Sequence, residues 1–180
     1  MSKIFQYFVE GECEEKLINT LKAPPMNALI PGKVEVLNVV CSKISKQRLM
    51  VLKPKTNIIL VYDTDVARTD ILEENVRMLK SYGFTNIYHI QSIRTFEDEL
   101  VYASKIAEIS EMYHTVSLED FKKKFIHQSN LKDKLASIQF QSERIWSRVN
   151  TNLPFSEFAS KEAVDRVKAN PNAEKEKVGS

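Results

Sequence analysis

Short apolar runs predict four strands in the first half of the chain. The runs are rich in β-branched and aromatic residues, and the third is almost entirely apolar, as expected for a central strand that is covered on both faces. The predicted strands are Lys3–Val9, Val34–Val40, Asn57–Tyr62 and Asn86–Gln91.

The segments between these runs place apolar residues at helical spacing. We predict helices over residues 12–22, 42–52 and 70–82, the last of them ended by Gly83. Strands that alternate with helices predict an α/β fold, with a mainly parallel sheet, right-handed crossovers and helices on both sides.

From Phe96 onward the pattern is helical. One helix is predicted to run from about Phe96 to Ile109, a second to begin at Ser117, and one or two more to cover residues 130–149. From about Ser160 the chain has hardly any large apolar residue, so we expect this end to be disordered. The predicted organisation is an α/β domain over residues 1–108, an α-helical appendage over 109–158 and a disordered tail over 159–180.

Composition is that of a globular protein. The 180 residues are 43% hydrophobic and 28% charged, with a formal net charge of +2, which fits one domain with a substantial core. The start of the chain lacks the apolar core of a signal peptide, and no run approaches the ~20 apolar residues of a membrane span. We therefore expect a cytoplasmic protein without a membrane partner, in which Cys13 and Cys41 are reduced thiols.

Carboxylates follow two of the predicted strands directly. Glu10 and Glu14 follow the first strand, and Asp63 and Asp65 end the third. Carboxyl ends of parallel strands are where open α/β sheets build their sites. Mg²⁺ prefers oxygen ligands and needs only one or two carboxylates besides water and a substrate phosphate. We expect Asp63 and Asp65 to face one ion, with Glu10 completing the site or moving a proton.

Simpler interpretations of these residues remain open. Acids at strand ends also cap the following helix or face solvent, and an Asp-x-Asp pair alone is a weak signal. His89 lies in a predicted strand, where a core or rim position is more common than a catalytic one.

The two acidic motifs together carry a family resemblance. Val9-Glu10-Gly11-Glu12-Cys13-Glu14 resembles the Val-Glu-Gly-x-x-Glu start of Toprim domains, and Val61-Tyr62-Asp63-Thr64-Asp65 resembles their later Asp-x-Asp strand end. Toprim domains are the magnesium-binding catalytic cores of topoisomerases, primases and several nucleases. The resemblance covers about residues 3–105, and Glu14 makes it most similar to the overcoming-lysogenization-defect nucleases and related phage-defence nucleases.

This resemblance implies cleavage of nucleic-acid phosphodiester bonds with Mg²⁺ or Mn²⁺. Glu10, Asp63 and Asp65 would hold the metal, with Glu10 also the general acid or base. Glu14 would be a second acid near the metal, and Glu97 would match a further acid of these nucleases. Val66-Ala67-Arg68 stands where topoisomerases and primases usually carry a glycine, so the resemblance favours a small stand-alone Toprim nuclease, acting on RNA such as tRNA in phage defence or as a toxin.

Basic residues are the expected contacts to the nucleic acid, RNA or DNA. We predict Lys43, Lys46, Arg48 and Arg94 for this role, although the first three would also suit a solvated helix face.

Two other functions are compatible with the sequence. One is a non-catalytic Toprim-like module that binds nucleic acid or a protein partner or activator. The other is a glycosyltransferase that uses Asp63-Thr64-Asp65 to hold a metal and a nucleotide sugar, which leaves Glu10-Gly11 unexplained.

Overall fold

A computed structural model describes residues 4–168 and confirms the predicted α/β fold class. Four parallel strands form one sheet in the order β2-β1-β3-β4, with helices on both faces. The strands are β1 (Phe5–Val9), β2 (Lys33–Val36), β3 (Asn57–Asp63) and β4 (Ile87–Ser92). The helices are α1 (Glu12–Lys22), α2 (Lys46–Met50), α3 (Asp70–Ser81), α4 (Phe96–Tyr102), α5 (Leu118–His127), α6 (Leu131–Ser137) and α7 (Lys161–Lys168), with short 3-10 helices at Ile109–Met112 and Phe155–Phe158.

Two apolar layers cover the sheet. Tyr7 and Val61 point to a layer built from α1, α4, α5, α6 and α7. Phe8 and Leu60 point to the other layer, which contains α2 and α3. Every residue of β3 is buried, as its continuous apolar run predicts. The predicted helical appendage therefore packs with α1 onto the same core as the sheet.

The strand order creates a switch point between β1 and β3. The chain moves from β1 outward to β2, then crosses back to β3 on the other side of β1. The helices that follow these two strands, α1 and α3, accordingly lie on opposite faces. In open α/β sheets the crevice at such a point, outside the carboxyl ends of the strands, is the usual ligand site.

Several predicted boundaries were wrong where side chains form turns. The second strand ends at Val36 because the Asn38 side chain accepts hydrogen bonds from the backbone N–H groups of Val40 and Cys41. The helix predicted to run to Ile109 ends at Tyr102, and the helical stretch predicted over 130–149 is helical only to Ser137. Gln139, with φ 52°, then closes the end of this helix, where Phe140 N donates to Leu135 O at 3.0 Å.

The tail prediction was wrong for residues 161–168. These residues form α7, whose small apolar residues Ala163, Val164 and Val167 are buried, the two valines against the core. The helix also lies beside the loop before β2, where Ile30 N donates to Val167 O at 2.8 Å. The sequence interpretation counted only large apolar residues and so missed this face. Residues 169–180 of the predicted tail lie outside the described residues.

Within residues 4–168, every helix is too short or too polar to cross a bilayer.

Candidate functional site

The carboxyl ends of β1 and β3 bring two of the predicted acids into contact. Glu10 directly follows β1, Asp63 is the last residue of β3, and the two strands are neighbours in the sheet. The backbone N–H of Asp63 donates to Glu10 Oε2 at 3.0 Å. The two carboxylates therefore adjoin at the switch point of the sheet.

Helix α1 brings Glu14 to the same place. The helix begins at Glu12, directly after the extended residue Gly11, and the Glu14 side chain folds back over its first turn. A Cβ atom at Gly11 would lie 3.2 Å from Glu14 Oε2, closer than ordinary packing. Glycine at this position therefore leaves room for a buried carboxylate above the start of the helix.

Helix α4 adds Glu97, the further acid predicted from the sequence. Thr95 caps this helix by accepting a hydrogen bond from Asp98 N, which fixes the first turn that carries Glu97. The Glu97 side chain is buried, and its Oε1 lies 3.4 Å from Lys122 Nζ on α5. We call Glu10, Glu14, Asp63 and Glu97 the acidic cluster.

Burial and mutual repulsion raise the pKa values of Asp63, Glu14 and Glu10. Burial raises the pKa of Asp63 to about 8, and the carboxylates of Glu10 and Glu14 add to the rise. Burial raises the pKa of Glu14 to about 7, with Glu10 and Glu97 adding to it. The pKa of Glu10 is also raised by burial, although the bond from Asp63 N opposes the change. The folded chain thus holds carboxyl groups whose ionisation near neutral pH is disfavoured.

Three buried side-chain oxygens at this edge have no partner in hydrogen-bond geometry. They are Asp63 Oδ1, Ser92 Oγ and Glu97 Oε1. Ser92 ends β4 and pairs with Asp63 in the register of the sheet, so the two side chains belong to neighbouring strand ends. Asp63 is only 9% exposed, and an unsatisfied buried oxygen normally costs stability, so its presence here calls for an explanation.

The residues fit a divalent cation in part. Asp63 offers an unpartnered carboxylate oxygen, and a nearby cation would lower the raised pKa values of Asp63 and Glu14. Among residues 4–168, however, no three His, Cys, Asp or Glu residues are arranged so that they could hold a metal ion. The predicted ligands Glu10, Asp63 and Asp65 are thus neighbours without forming a preassembled metal site.

Asp65 lies at the rim of the acidic cluster. It follows the end of β3 by two residues and is exposed, whereas Asp63 is buried. Its negative charge contributes to the raised pKa of Glu10, which places it beside the cluster. The intervening residue Thr64 bonds to the loop after β4.

The predicted basic contacts divide into two groups. Arg94 follows β4 at the same edge as the acids, and its side chain is exposed. Residues 39–49, which include Lys43, Lys46 and Arg48, contribute Val39, Val40, Ile44 and Leu49 to the apolar layer on the α2 and α3 side, opposite the layer of α1, α4 and α5. Lys43 pairs with Glu74 at 2.8 Å and Arg48 with Glu35 at 3.0 Å, while Lys46 is exposed. Arg94 thus lies at the edge that carries the acids, whereas Lys43 and Arg48 are paired with acids outside the cluster.

Lys122 is the main feature that the sequence interpretation missed. Its ammonium group contacts Glu97, and its positive charge also lowers the pKa values of Glu10 and Glu14. Partial burial lowers the pKa of Lys122, but the charge of Glu97 and the other acids outweighs it and the net pKa is raised. The residue lies in a Lys122-Lys123-Lys124 run on α5, which from sequence alone is typical of a solvated helix face.

His89 and Cys13 have structural surroundings. His89 lies in the middle of β4, where its Nδ1 is 3.0 Å from the Tyr62 hydroxyl and its ring packs on Phe158. Burial lowers the pKa of His89 to about 4. Cys13 is buried beside the acidic cluster, and burial raises the pKa of its thiol to about 12, so it is a poor nucleophile.

Comparison with protein-family models, with curated proteins and with solved structures finds no match to this chain.

Proposed function

We propose that this chain cleaves nucleic-acid phosphodiester bonds in a reaction that depends on Mg²⁺ or Mn²⁺, in the manner of a small Toprim nuclease. The observation that carries the proposal is the buried carboxylate of Asp63. Its Oδ1 has no partner, its pKa is raised to about 8, and it adjoins Glu10 and Glu14 at the switch point of the sheet. Unmatched acids that destabilise the fold are more typical of a functional site than of a structural one.

The acids differ in the roles for which they are suited. Asp63 offers its free oxygen as a metal ligand, and the exposed Asp65 is open to a second contact. Glu10 is suited to hold or move a proton, because its carboxylate adjoins Asp63 and its pKa is raised from the ordinary value. A bound divalent metal would polarise the phosphate and lower the pKa of a bound water.

Two cationic side chains are suited to the substrate. Lys122 faces Glu97 from α5 and can stabilise negative charge that develops beside the cluster. Arg94 is exposed at the same edge and can bind a backbone phosphate. The α5 helix of the appendage thus contributes to the proposed site as well as to the core.

The test is metal-dependent cleavage by the purified full chain. Labelled DNA and total RNA are incubated with Mg²⁺, Mn²⁺ or chelator, using wild type, Asp63→Asn, Glu10→Gln and the control Glu12→Gln. Glu12 belongs to the same sequence motif but is exposed outside the cluster. We expect Glu10→Gln and Asp63→Asn to lower the cleavage rate about 10²-fold or more, the range for loss of a general acid or base, while Glu12→Gln retains it.

Thermal melts accompany the assay, because loss of cleavage is informative only in folded variants. Cleavage that needs metal and disappears in both cluster variants supports the proposal. Absence of cleavage, with binding of nucleic acid that survives neutralisation of the acids and falls with salt, supports a non-catalytic binding module instead.

A further inference from the structure

Thr64 links the loop after β3 to the end of β4 and the loop that follows it through three hydrogen bonds. Its backbone N–H donates to Arg94 O at 2.9 Å, its hydroxyl accepts from Arg94 N at 3.1 Å, and the same hydroxyl donates to Ser92 O at 2.9 Å. Thr64, which stands between Asp63 and Asp65, is therefore bonded to both ends of the turn formed by residues 92–94.

This turn is strained at Arg94. Its φ is 71°, in the left-handed region that residues with a Cβ atom rarely adopt. Contacts on both sides maintain this conformation: Ile93 N donates to Glu99 Oε1 at 3.1 Å, and Thr95 caps α4. A glycine would adopt the same turn without strain. The backbone geometry therefore does not account for an arginine at this position.

The Arg94 guanidinium makes little contact with the rest of the fold. The side chain is 81% exposed, and its Nε lies 3.7 Å from Asp98 Oδ2, beyond hydrogen-bond distance. A guanidinium presents a planar set of donors that matches phosphate oxygens in pairs. The backbone of Arg94 is bonded to the residue between Asp63 and Asp65, so this donor set is anchored at the edge that carries the acids.

We propose that Thr64 is a positioning residue that holds the left-handed turn at Arg94 and so directs the guanidinium to a nucleic-acid phosphate bound beside Asp63 and Asp65. This inference rests on the proposed function, since it names a substrate contact of the same site. The hydroxyl of Thr64 acts through Arg94 and touches no reacting atom.

A double-mutant cycle tests this relation. The dissociation constant (Kd) of labelled RNA and DNA oligonucleotides is measured with Ca²⁺ in place of Mg²⁺ for wild type, Thr64→Val, Arg94→Gly and the double variant, and KM and kcat are measured with Mg²⁺ for the oligonucleotide that is cleaved. We expect Arg94→Gly to raise Kd and KM about tenfold, the effect of one lost charge-assisted hydrogen bond. Thr64→Val should raise both about threefold to tenfold and add nothing in the Arg94→Gly background.

Two further variants separate positioning from general structure. Thr64→Ser keeps the hydroxyl and should bind the oligonucleotides with the wild-type Kd. Lys55→Gly is the matched control for Arg94→Gly, because Lys55 is also a cation with positive φ, 64°, but lies just before the amino end of β3. It should change Kd less than twofold. The slope of log Kd against log salt should fall by about 1 in Arg94→Gly and not in Lys55→Gly.

The outcomes keep the two proposals distinct. If Thr64→Val weakens binding equally with and without Arg94, or if Thr64→Ser fails to restore binding, the positioning role is wrong. If the cycle holds in Kd but no polymer is cleaved with any metal, the nuclease proposal fails and the positioning role stands. If neither oligonucleotide binds to wild type, both proposals fail.

Discussion

Glu99 on α4 and Asp63 at the end of β3 are both buried carboxylates, but they differ in their hydrogen-bond partners. Glu99 has no exposed surface, and both its oxygens are bonded: Oε1 accepts from Ile93 N and Arg148 Nη2, and Oε2 accepts from Trp146 N. Asp63 is nearly as buried, yet its Oδ1 has no partner and its nearest charged neighbours include Glu10 and Glu14.

The difference separates a structural acid from a candidate functional one. Glu99 joins the loop after β4 to the segment around Trp146 and Arg148, so its charge is matched and its bonds hold distant parts of the chain together. Asp63 holds nothing together through its side chain oxygen Oδ1. The Phe96 backbone and Ser92 oppose the rise in the pKa of Asp63 only in part. A buried carboxylate oxygen without a hydrogen-bond partner costs folding free energy, and such a cost is typical of a site that awaits a ligand.

The largest expected effect is on stability at Glu99. Glu99→Ala removes the partner of Arg148 and leaves the N–H groups of Ile93 and Trp146 unbonded, so we expect unfolding free energy to fall by about 3–5 kcal/mol, the range for breaking a buried ion pair. Urea denaturation measures this change. Glu119→Ala, in an exposed pair with Lys123, is the control and should change stability by less than about 0.5 kcal/mol. If Glu99→Ala lowers the unfolding free energy no more than Glu119→Ala does, Glu99 is not a structural acid and is not distinguished from Asp63 in this way.

His89 extends the comparison to a half-buried titratable group that the fold keeps uncharged. Burial lowers its pKa in the folded state from 6.5 to about 4. The folded chain therefore binds fewer protons at this site than the unfolded chain between these values. The associated stability is present above pH 6.5 and is lost as pH falls towards 4, by about 3 kcal/mol in total.

The measurement is unfolding free energy against pH for wild type and His89→Gln. The amount by which the unfolding free energy of wild type exceeds that of His89→Gln should shrink or reverse as pH falls from 6.5 to 4, because glutamine does not titrate. Parallel curves over that range would show that His89 is not held neutral by burial.

The smallest expected effect concerns Asp63 itself. Its pKa is raised from 3.8 to about 8, so the folded chain binds more protons at this site than the unfolded chain between those values, and stability is lost as pH rises through this window. Asp63→Asn removes this loss. The full pKa change corresponds to about 6 kcal/mol. The asparagine amide is itself polar and needs partners at this buried position, which offsets most of this gain. In chelator at pH 8 we therefore expect the variant to be more stable than wild type by a net amount of only about 2 kcal/mol.

Added Mg²⁺ then distinguishes the causes. It should raise the melting temperature of wild type more than that of Asp63→Asn, because only wild type carries the carboxylate. Asp70→Asn is the control, since Asp70 is exposed and paired with Arg68. If Asp63→Asn is destabilised in chelator, the oxygen that lacks a partner is a structural element and the contrast with Glu99 is lost.

Sequence patterns predicted the strands and helices before Phe96 more accurately than the helices after it. The strand around Asn57–Asp63 and the helix Glu12–Lys22 follow from apolar runs and helical spacing, which are local signals. The helices after Phe96 were predicted too long, because a turn such as that at Gln139 depends on backbone conformation that periodicity does not report. Helix α7 was missed because its buried face consists of small residues.

The site divides in the same way. Glu10 and Asp63 could be placed together from sequence because both end parallel strands, and parallel strands end at a common edge. No sequence pattern connects Lys122 with Glu97, or Arg94 with Thr64, since these pairs are far apart along the chain and meet only through packing. The placement of Lys43, Lys46 and Arg48 with the opposite layer also depends on packing alone.

By itself, the sequence determined the order of strands and helices and the presence of carboxylates at two strand ends, because periodicity and chain direction are local properties. Only the tertiary structure decided which charges are matched. Asp63 Oδ1 was left without a hydrogen-bond partner while the Glu99 carboxylate received three donors, and that outcome depends on how distant segments pack against the sheet.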